Sequence, residues 1–249
     1  MESTTESEIL AGADREPLKL SYETVTLFST PRVILRSRMT INSMEIGVLE
    51  QEQYRYVARR TNQSEQLFRR QLHKVLEAFP AIRKEKSNVQ AISIPVYNRM
   101  LKKGNLGAVL FDELTAHPSV SAGELIMEVS ADILFEDLEP MAAELKRVRD
   151  MGVKIAIWEL GDPFCPLLRV KEIPCDYIFL DSYPLNFLNE EEKDWFSNLC
   201  RLLHSNEKTR VIAPGLPQWE LTELCENLGC DGYSLGENAE PPAPEEEDA

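Results

Sequence analysis

Charged side chains occur in several short apolar runs of this 249-residue sequence, and these residues are the best placed for chemistry: Arg36, Glu128, Glu159 and Asp181. Carboxylates so placed could hold hard divalent cations, which take oxygen ligands. A second interpretation stays open, in which the acids are solvated strand ends or partners of nearby arginines and lysines. The same runs carry Trp158 and Phe179, which offer no carboxylate and favour a plugged site over a stacked ligand.

The histidines and cysteines form no recognisable metal motif in the sequence. None of His73, His117 and His204 has a Cys or another His at ligand spacing, so we predict no metal role for them. We place His73 among core-facing residues of a helix, and His204 near a helix C-terminus, where the dipole favours it. The five cysteines lack a Cys-x-x-Cys pair, which predicts reduced thiols in a cytoplasmic protein.

Hydrophobic periodicity predicts the elements that position these residues. Apolar runs bounded by turn residues predict strands at Leu20–Phe28, Arg32–Asn42, Ala91–Val96, Gly123–Val129, Lys154–Ile157, Tyr177–Leu180, Arg210–Ala213 and Gly232–Ser234. Apolar spacings of three and four predict helices at Gln51–Arg60, Glu65–Phe79, Leu138–Arg149 and Gln218–Leu228. A capping box of Asn189 and Glu192 predicts the start of one more helix.

Strands and helices alternate from Ala91 onward, which is typical of a parallel sheet covered on both faces. Together with the N-terminal hairpin, this pattern favours an α/β fold with a closed (β/α) barrel over an open sheet. Active sites of such barrels lie at the carboxyl ends of the strands, where the charged residues fall. We expect one domain, residues 19–241, between flexible acidic tails at 1–18 and 242–249.

The net charge of −15 is concentrated at the two ends of the chain. Residues 1–18 carry −4 and residues 237–249 carry −6, which leaves −5 for the rest. This acidity argues against a nucleic acid or an anionic membrane as partner, because both would be repelled. The sequence also contains no apolar stretch near the roughly 18–20 residues that span a bilayer.

Three segments occur in an order that resembles the EAL domain family. They are Gly47–Leu49 with the following Tyr54–Ala58, the strand Met151–Ile157, and Asp231–Gly236, and the resemblance extends over about Leu20–Pro241. It implies an EAL-like modified TIM barrel. Active members of this family hydrolyse cyclic di-GMP with two divalent metals.

The chain departs from the family at several catalytic positions. The resemblance assigns the signature glutamate to Arg32, an asparagine ligand to Pro95, a second acid to Ala131, one of two paired aspartates to Trp158, the catalytic lysine to Phe179, and two glutamates to Pro214 and Pro217. What remains is a vestigial ligand-binding set, with Arg36 at the position of the phosphate-binding arginine and acids at Glu128, Glu159 and Asp181.

The resemblance and its gaps predict a catalytically inactive regulator that needs no cofactor and acts by binding a protein of unknown identity or a second copy of itself. The predicted interface is the apolar loop with Phe164, Leu167 and Leu168, although these side chains could instead pack back onto the barrel. Two alternatives stay open. The first is an effector that binds cyclic di-GMP without hydrolysis, and the second is an active phosphodiesterase.

Overall fold

A computed structural model describes residues 18–43, 47–51, 53–54, 64–161, 165–180, 189–204, 209–236 and 239. Within these ranges the strands are β1 (Leu18–Leu27), β2 (Val33–Ser43), β3 (Gly47–Leu49), β4 (Val89–Val96), β5 (Leu125–Ser130), β6 (Lys154–Leu160), β7 (Tyr177–Leu180), β8 (Arg210–Leu216) and β9 (Gly232–Leu235). The helices are α1 (Ser64–Glu85), α2 (Asn98–Lys103), α3 (Leu106–Ala116), α4 (Leu138–Asp150), α5 (Glu190–Leu203) and α6 (Leu221–Asn227). None of the described helices is long and apolar enough to cross a membrane.

Eight strands close into a barrel in the order β1-β9-β8-β7-β6-β5-β4-β2, and β1 pairs back onto β2. Strand β1 runs antiparallel to both of its neighbours, whereas each pair from β2 round to β9 is parallel. The short β3 adds to β2 outside the ring. The prediction of a modified TIM barrel is therefore confirmed.

The barrel interior is a packed core. Its apolar side chains are Val25, Leu27, Ile34, Ala91, Ile126, Ala156, Trp158, Tyr177, Phe179 and Ile212. A larger apolar cluster lies between the strands and the surrounding helices. Because these strands are buried on both faces, continuous apolar runs encode them better than alternation does, and every residue of β5 and β7 is buried.

Two aspartates hydrogen-bond to the backbone at the amino-terminal ends of neighbouring strands in the same way. Asp176, just before β7, accepts the backbone N–H of Ile155 at 2.9 Å. Asp231, just before β9, accepts the backbone N–H of Val211 at 2.7 Å and lies 2.6 Å from Nε2 of His204. Each carboxylate thus satisfies a backbone donor near the start of the preceding strand, which helps to fix the register of the sheet.

Helix α4 lies where the apolar spacing predicts a helix, with one more residue at its end. Asp137 caps its first turn by accepting the backbone N–H of Glu139, and Gly152, with φ of +94°, follows its end. The predicted apolar face of this helix is buried. The capping box of Asn189 and Glu192 at the start of α5 is also confirmed.

Other predicted boundaries need correction. Helix α1 continues through Pro80 to Glu85, beyond the predicted end at Phe79. Strand β5 begins at Leu125, because residues Ala122–Glu124 form a 3₁₀ turn with its own capping box. Strand β6 extends to Leu160, and α6 begins only at Leu221. Residues 55–60 of the predicted helix Gln51–Arg60 lie outside the described residues.

Helices α2 and α3 were not predicted from the sequence. The first has only six residues and ends at Gly104, whose φ of +66° stops the helix. The second is apolar on more than one side, since Val109 and Leu110 are buried while Phe111 is 65% exposed. A helix whose apolar residues do not sort onto one face gives a weak periodic signal.

Candidate functional site

Four charged residues of the described ranges lie together in the carboxyl-terminal half of the barrel interior and are here called the charged cluster: Glu23, Arg36, Arg38 and Glu128. Side chains alternate along a strand, so Ile34, Arg36 and Arg38 of β2 share the inward face. Ile34 belongs to the apolar interior, and the two arginines continue its row toward the barrel mouth. Glu128 comes from β5 and Glu23 from β1.

Arg36 and Glu128 form a bidentate ion pair inside the barrel. Nε of Arg36 donates to Oε1 of Glu128 at 2.8 Å, and Nη2 donates to Oε2 at 3.1 Å. Arg36 is 4% exposed and Glu128 is 0% exposed. The planar guanidinium matches the carboxylate, and the resulting bonds are stronger than those between neutral groups.

Arg38 and Glu23 complete the cluster. Arg38 donates to Oε2 of Glu128 at 3.3 Å and to Oε2 of Glu23 at 3.4 Å. The Nη1 group of Arg36 also donates to Glu23, at 3.1 Å. Two acids and two arginines therefore alternate and cancel in charge, as groups taken out of water must.

Two serine hydroxyls add short hydrogen bonds to the acids. Ser93 of β4 donates to Oε1 of Glu128, and Ser234 of β9 donates to Oε1 of Glu23. Each acid is thereby engaged through both of its oxygens. The carboxylates lie in the part of a barrel where enzymes of this architecture bind ligands, yet their oxygens already accept bonds from protein groups.

Aromatic rings cover the arginines. The ring of Phe179 lies 4.2 Å from Cζ of Arg36, and the ring of Trp158 lies 6.0 Å from Cζ of Arg38. Both distances suit cation–π attraction. The two rings pack inside the barrel as the sequence predicts, where Phe179 is fully buried and Trp158 is 8% exposed.

The protonation states follow from burial and the facing charges. Burial raises the pKa of the Glu128 carboxyl, but the charges of Arg36 and Arg38 and the hydrogen bonds from Arg36 and Ser93 outweigh it and lower the pKa to about 2. Burial lowers the pKa of Arg36, and the opposing effects of Glu128, Glu23 and Glu159 leave it raised. Both groups therefore stay charged at neutral pH.

The structure brings some of the four predicted site residues together, and one of the four is not described. Arg36 and Glu128 are in contact, and Glu159 acts on Arg36 through its charge. Glu159 is partly buried at an irregularity of β6 and has φ of +58°. Asp181 lies outside the described residues.

The structure shows the surroundings of two positions assigned from the resemblance. Arg32 lies before β2 and is exposed, so the positive charges at the site come from Arg36 and Arg38. On β4 the side chain that contacts Glu128 is Ser93, two residues before Pro95. Sequence reasoning also missed Glu23 and Arg38. The signal for Arg38 was its position two residues after Arg36, which places both side chains on the same face of a predicted strand.

The predicted interface loop is described only in part, because Phe164 lies outside the described residues. Leu167 packs partly against the core, whereas Leu168 is 71% exposed. Both line a cavity of about 310 Å³, here called the Leu168 groove, between the 3₁₀ segment Leu167–Glu172 and the end of α5. Leu202 of α5, 47% exposed, forms its other side.

One histidine differs from its prediction, whereas His204 lies at the C-terminus of α5 as predicted. His73 is not core-facing, since 51% of its side chain is exposed, and its ring lies beside that of His117. The five cysteines are all free, as predicted, and all except Cys165 are buried. Burial raises the pKa of the Cys175 thiol to about 11, which makes it a poor nucleophile.

Comparisons with known proteins agree with this architecture. A family model described as the EAL domain matches residues 8–234. The cyclic di-GMP phosphodiesterase PdeF of Escherichia coli (strain K12) is 24% identical over 129 residues, which are 50% of this chain and 17% of that relative. The chain thus spans less than a fifth of the curated relative that it matches.

Solved structures share the barrel. The PaMucR phosphodiesterase in complex with c-di-GMP has a TM-score of 0.80 at 20% identity, over 97% of this chain and 98% of that one. The FimX EAL domain from Pseudomonas aeruginosa bound to c-di-GMP has a TM-score of 0.81 at 13% identity, over 98% and 97%. At these identities the likeness concerns the fold. Since the family model extends over nearly the whole described barrel, the chain belongs to the EAL domain family.

Proposed function

We propose that this EAL-domain protein of the cyclic di-GMP signalling family does not hydrolyse cyclic di-GMP and acts as a regulator that binds other proteins. The observation that carries the proposal is the charged cluster: both oxygens of the buried Glu128 accept bonds from arginine side chains. A metal ion needs those lone pairs.

Divalent cations would meet a large cost in this barrel. To reach Glu128, a metal would have to displace the bidentate Arg36, and it would leave that guanidinium buried without its partner. Breaking a buried ion pair in this way costs about 3–5 kcal/mol. The metal would also face two positive side chains within a few ångströms, in a medium that screens charge poorly.

The rest of the catalytic equipment is also replaced. Phe179 stands where the resemblance expects the catalytic lysine, and its ring covers Arg36. Loss of a general base or a metal ligand typically costs a factor of ~10²–10⁴, and groups that act as a unit fail together. These residues do not provide the ligands for a pair of metal ions that would activate a water molecule.

A hydrolysis assay tests the inactive site. The full chain is incubated with cyclic di-GMP and Mg²⁺ or Mn²⁺, and the linear dinucleotide product is measured by chromatography, with the PaMucR phosphodiesterase as positive control. We expect no product above a protein-free blank, and Phe179→Lys should not restore activity. Metal-dependent product that disappears in Asp181→Ala would show the proposal to be wrong.

Calorimetry with the same nucleotide separates a regulator from an effector that binds without cleavage. Arg36 and Arg38 are already committed to Glu128 and Glu23, so they offer little to a phosphate. We expect no binding tighter than about 10 μM, or roughly −7 kcal/mol. Submicromolar affinity that falls in Arg36→Ala would favour the effector instead.

A further inference from the structure

A second group of polar side chains lies outside the barrel, where α1 packs against α3. His73 comes from the middle of α1, Glu113 from the last turn of α3, and His117 follows α3 directly. One ligand atom from each lies within 4.8 Å of the others. The two imidazole rings lie edge to face, with centroids 4.9 Å apart. Residues separated by up to 44 positions in sequence thus converge on one point.

Hydrogen bonds prepare both imidazoles for a metal. Nδ1 of His117 lies 2.9 Å from the backbone carbonyl of Glu113, and donation of its N–H there leaves the lone pair on Nε2. Nε2 of His73 lies 3.5 Å from Oε1 of Glu77, and Nδ1 lies 3.3 Å from Oε2 of Glu113. Without a metal, Nδ1–H of His73 donates to Glu113. A metal ion would replace that proton and lie between Nδ1 and the carboxylate, while Nε2–H faces Glu77. Metal-bound histidines are usually oriented in this way by a carbonyl or carboxylate.

We propose that His73, Glu113 and His117 form a binding site for a borderline divalent transition metal, with Zn²⁺ as the best match. Two imidazoles and one carboxylate suit Zn²⁺, whereas Mg²⁺ and Ca²⁺ take oxygen ligands. Three protein ligands leave a fourth tetrahedral position for water.

The spacing of the ligand atoms fits that ion. Zn–N and Zn–O bonds of about 2.0–2.1 Å place tetrahedral ligand atoms about 3.3 Å apart. The observed separation between Nδ1 of His73 and Oε2 of Glu113 is 3.3 Å. One ligand atom from each of the three residues lies within 4.8 Å of the others, so the third atom must move inward by about 1 Å. Only small side-chain movements are therefore needed to bind the metal.

The surroundings give the site access and some rigidity. The side chains of Glu113 and His117 are 17% and 15% exposed, and that of His73 is 51% exposed. The backbone of His117 is fixed by a bond from its N–H to the carbonyl of Glu113 at 3.0 Å. A bound ion would join α1 to the end of α3 and hold two outer helices together, independently of the charged cluster inside the barrel.

Calorimetric titration of the purified full chain with ZnCl₂, after chelator treatment and in a non-thiol reductant, tests the site. We expect one ion per chain, a Kd below about 10 μM, and a Tm that rises by about 5–10 °C at a hundredfold excess over Kd. His73→Gln, Glu113→Gln and His117→Gln should each weaken binding at least tenfold. His204→Gln, the remaining histidine, is the matched control and should bind like the wild type.

Two further measurements identify the ligands. Glu77→Gln should weaken binding by less than the ligand variants do, since it removes only the group that orients His73. Co²⁺ in place of Zn²⁺ should give visible absorption of a tetrahedral nitrogen and oxygen site without the intense near-ultraviolet band of cobalt–thiolate bonds. This spectrum is recorded on the wild type, so it decides the ligand set even where a variant fails to fold.

Three outcomes would overturn the proposal. The first is the lack of saturable Zn²⁺ binding by the wild type. The second is Zn²⁺ affinity in His73→Gln and His117→Gln equal to that of the wild type, which would assign the ion to the acidic tails or elsewhere. The third is a cobalt–thiolate band, which would assign the ion to cysteines.

Discussion

Glu128 keeps its negative charge in the interior of the barrel because two guanidinium groups face it. Burial raises the pKa of this carboxyl, but Arg36, Arg38 and Ser93 lower it by more. The pKa therefore falls from 4.5 to about 2. An acid with a depressed pKa in the folded state stabilises the fold above the unfolded pKa. This contribution is fully present above about pH 4.5 and is lost as the pH falls toward 2. Its size is about 3 kcal/mol.

The prediction at this scale concerns acid unfolding. We expect the free energy of unfolding, measured by urea denaturation, to fall steeply between pH 4.5 and 2.5 in the wild type. Glu128→Gln should be less stable at pH 7 and should lose less on acidification, because it has no proton to take up. Burial raises the pKa of Glu124, but hydrogen bonds from Ser121 and Arg83 and the charge of Arg83 outweigh it and lower the pKa. The difference between the two proteins is therefore the informative quantity. Parallel curves for both proteins would contradict the prediction.

Strand β6 departs from regular geometry near its end. Its pairing with β7 is irregular between Ile157 and Leu160, and Glu159 within that stretch has φ of +58°. Residues with a Cβ avoid this left-handed region at a cost of about 1–2 kcal/mol. This conformation lies next to Trp158, whose ring faces Arg38 of the charged cluster.

Two substitutions at Glu159 separate backbone strain from side-chain contacts. Glu159→Ala removes the carboxylate and keeps the Cβ, whereas Glu159→Gly removes both. We expect the glycine variant to be more stable than the alanine variant by about 1 kcal/mol, measured by thermal or urea unfolding. Equal stability, or a more stable alanine variant, would show that the backbone is not strained there.

For the molecule as a whole, the closed barrel removes exposed sheet edges from the ring, so any association would use its outer helices, its loops or β3. The Leu168 groove is the described surface that matches the predicted interface loop, with Leu168 and Leu202 exposed on its two sides. Exposed leucines around an apolar groove are a usual feature of protein-binding surfaces.

The corresponding prediction concerns assembly. We expect Leu168→Asp to raise the dissociation constant of self-association or partner binding at least ~10-fold, or about 1.4 kcal/mol, because a carboxylate would be desolvated in the groove. Light scattering coupled to size exclusion measures the first, and affinity capture with quantification measures the second. Phe111→Asp is the matched control, since Phe111 is equally apolar and 65% exposed on α3. The prediction would be contradicted if the wild type stays monomeric and captures the same proteins as Leu168→Asp does.

The one-dimensional pattern of the chain determined most of its elements and their order. Strands β7 and β9, helix α4 and the start of α5 follow from apolar periodicity and capping residues, which act over a few residues. The same local signals missed α2 and α3, because a short helix and one that is apolar on several sides lack a single clear stripe. The family resemblance identified Arg36 and Glu128 but could not say that they bind each other.

Only the tertiary structure decided which charges meet. Arg36 and Glu128 are 92 residues apart, and Glu23 and Ser234 are 211 residues apart, yet barrel closure brings each pair into contact. His73 and His117, assigned separate environments from sequence, are neighbours because α1 packs on α3. Local sequence fixes which way a side chain points along its own strand or helix. The partner that it meets depends on the closure of the sheet and the packing of helices around it, which are long-range properties of the whole chain.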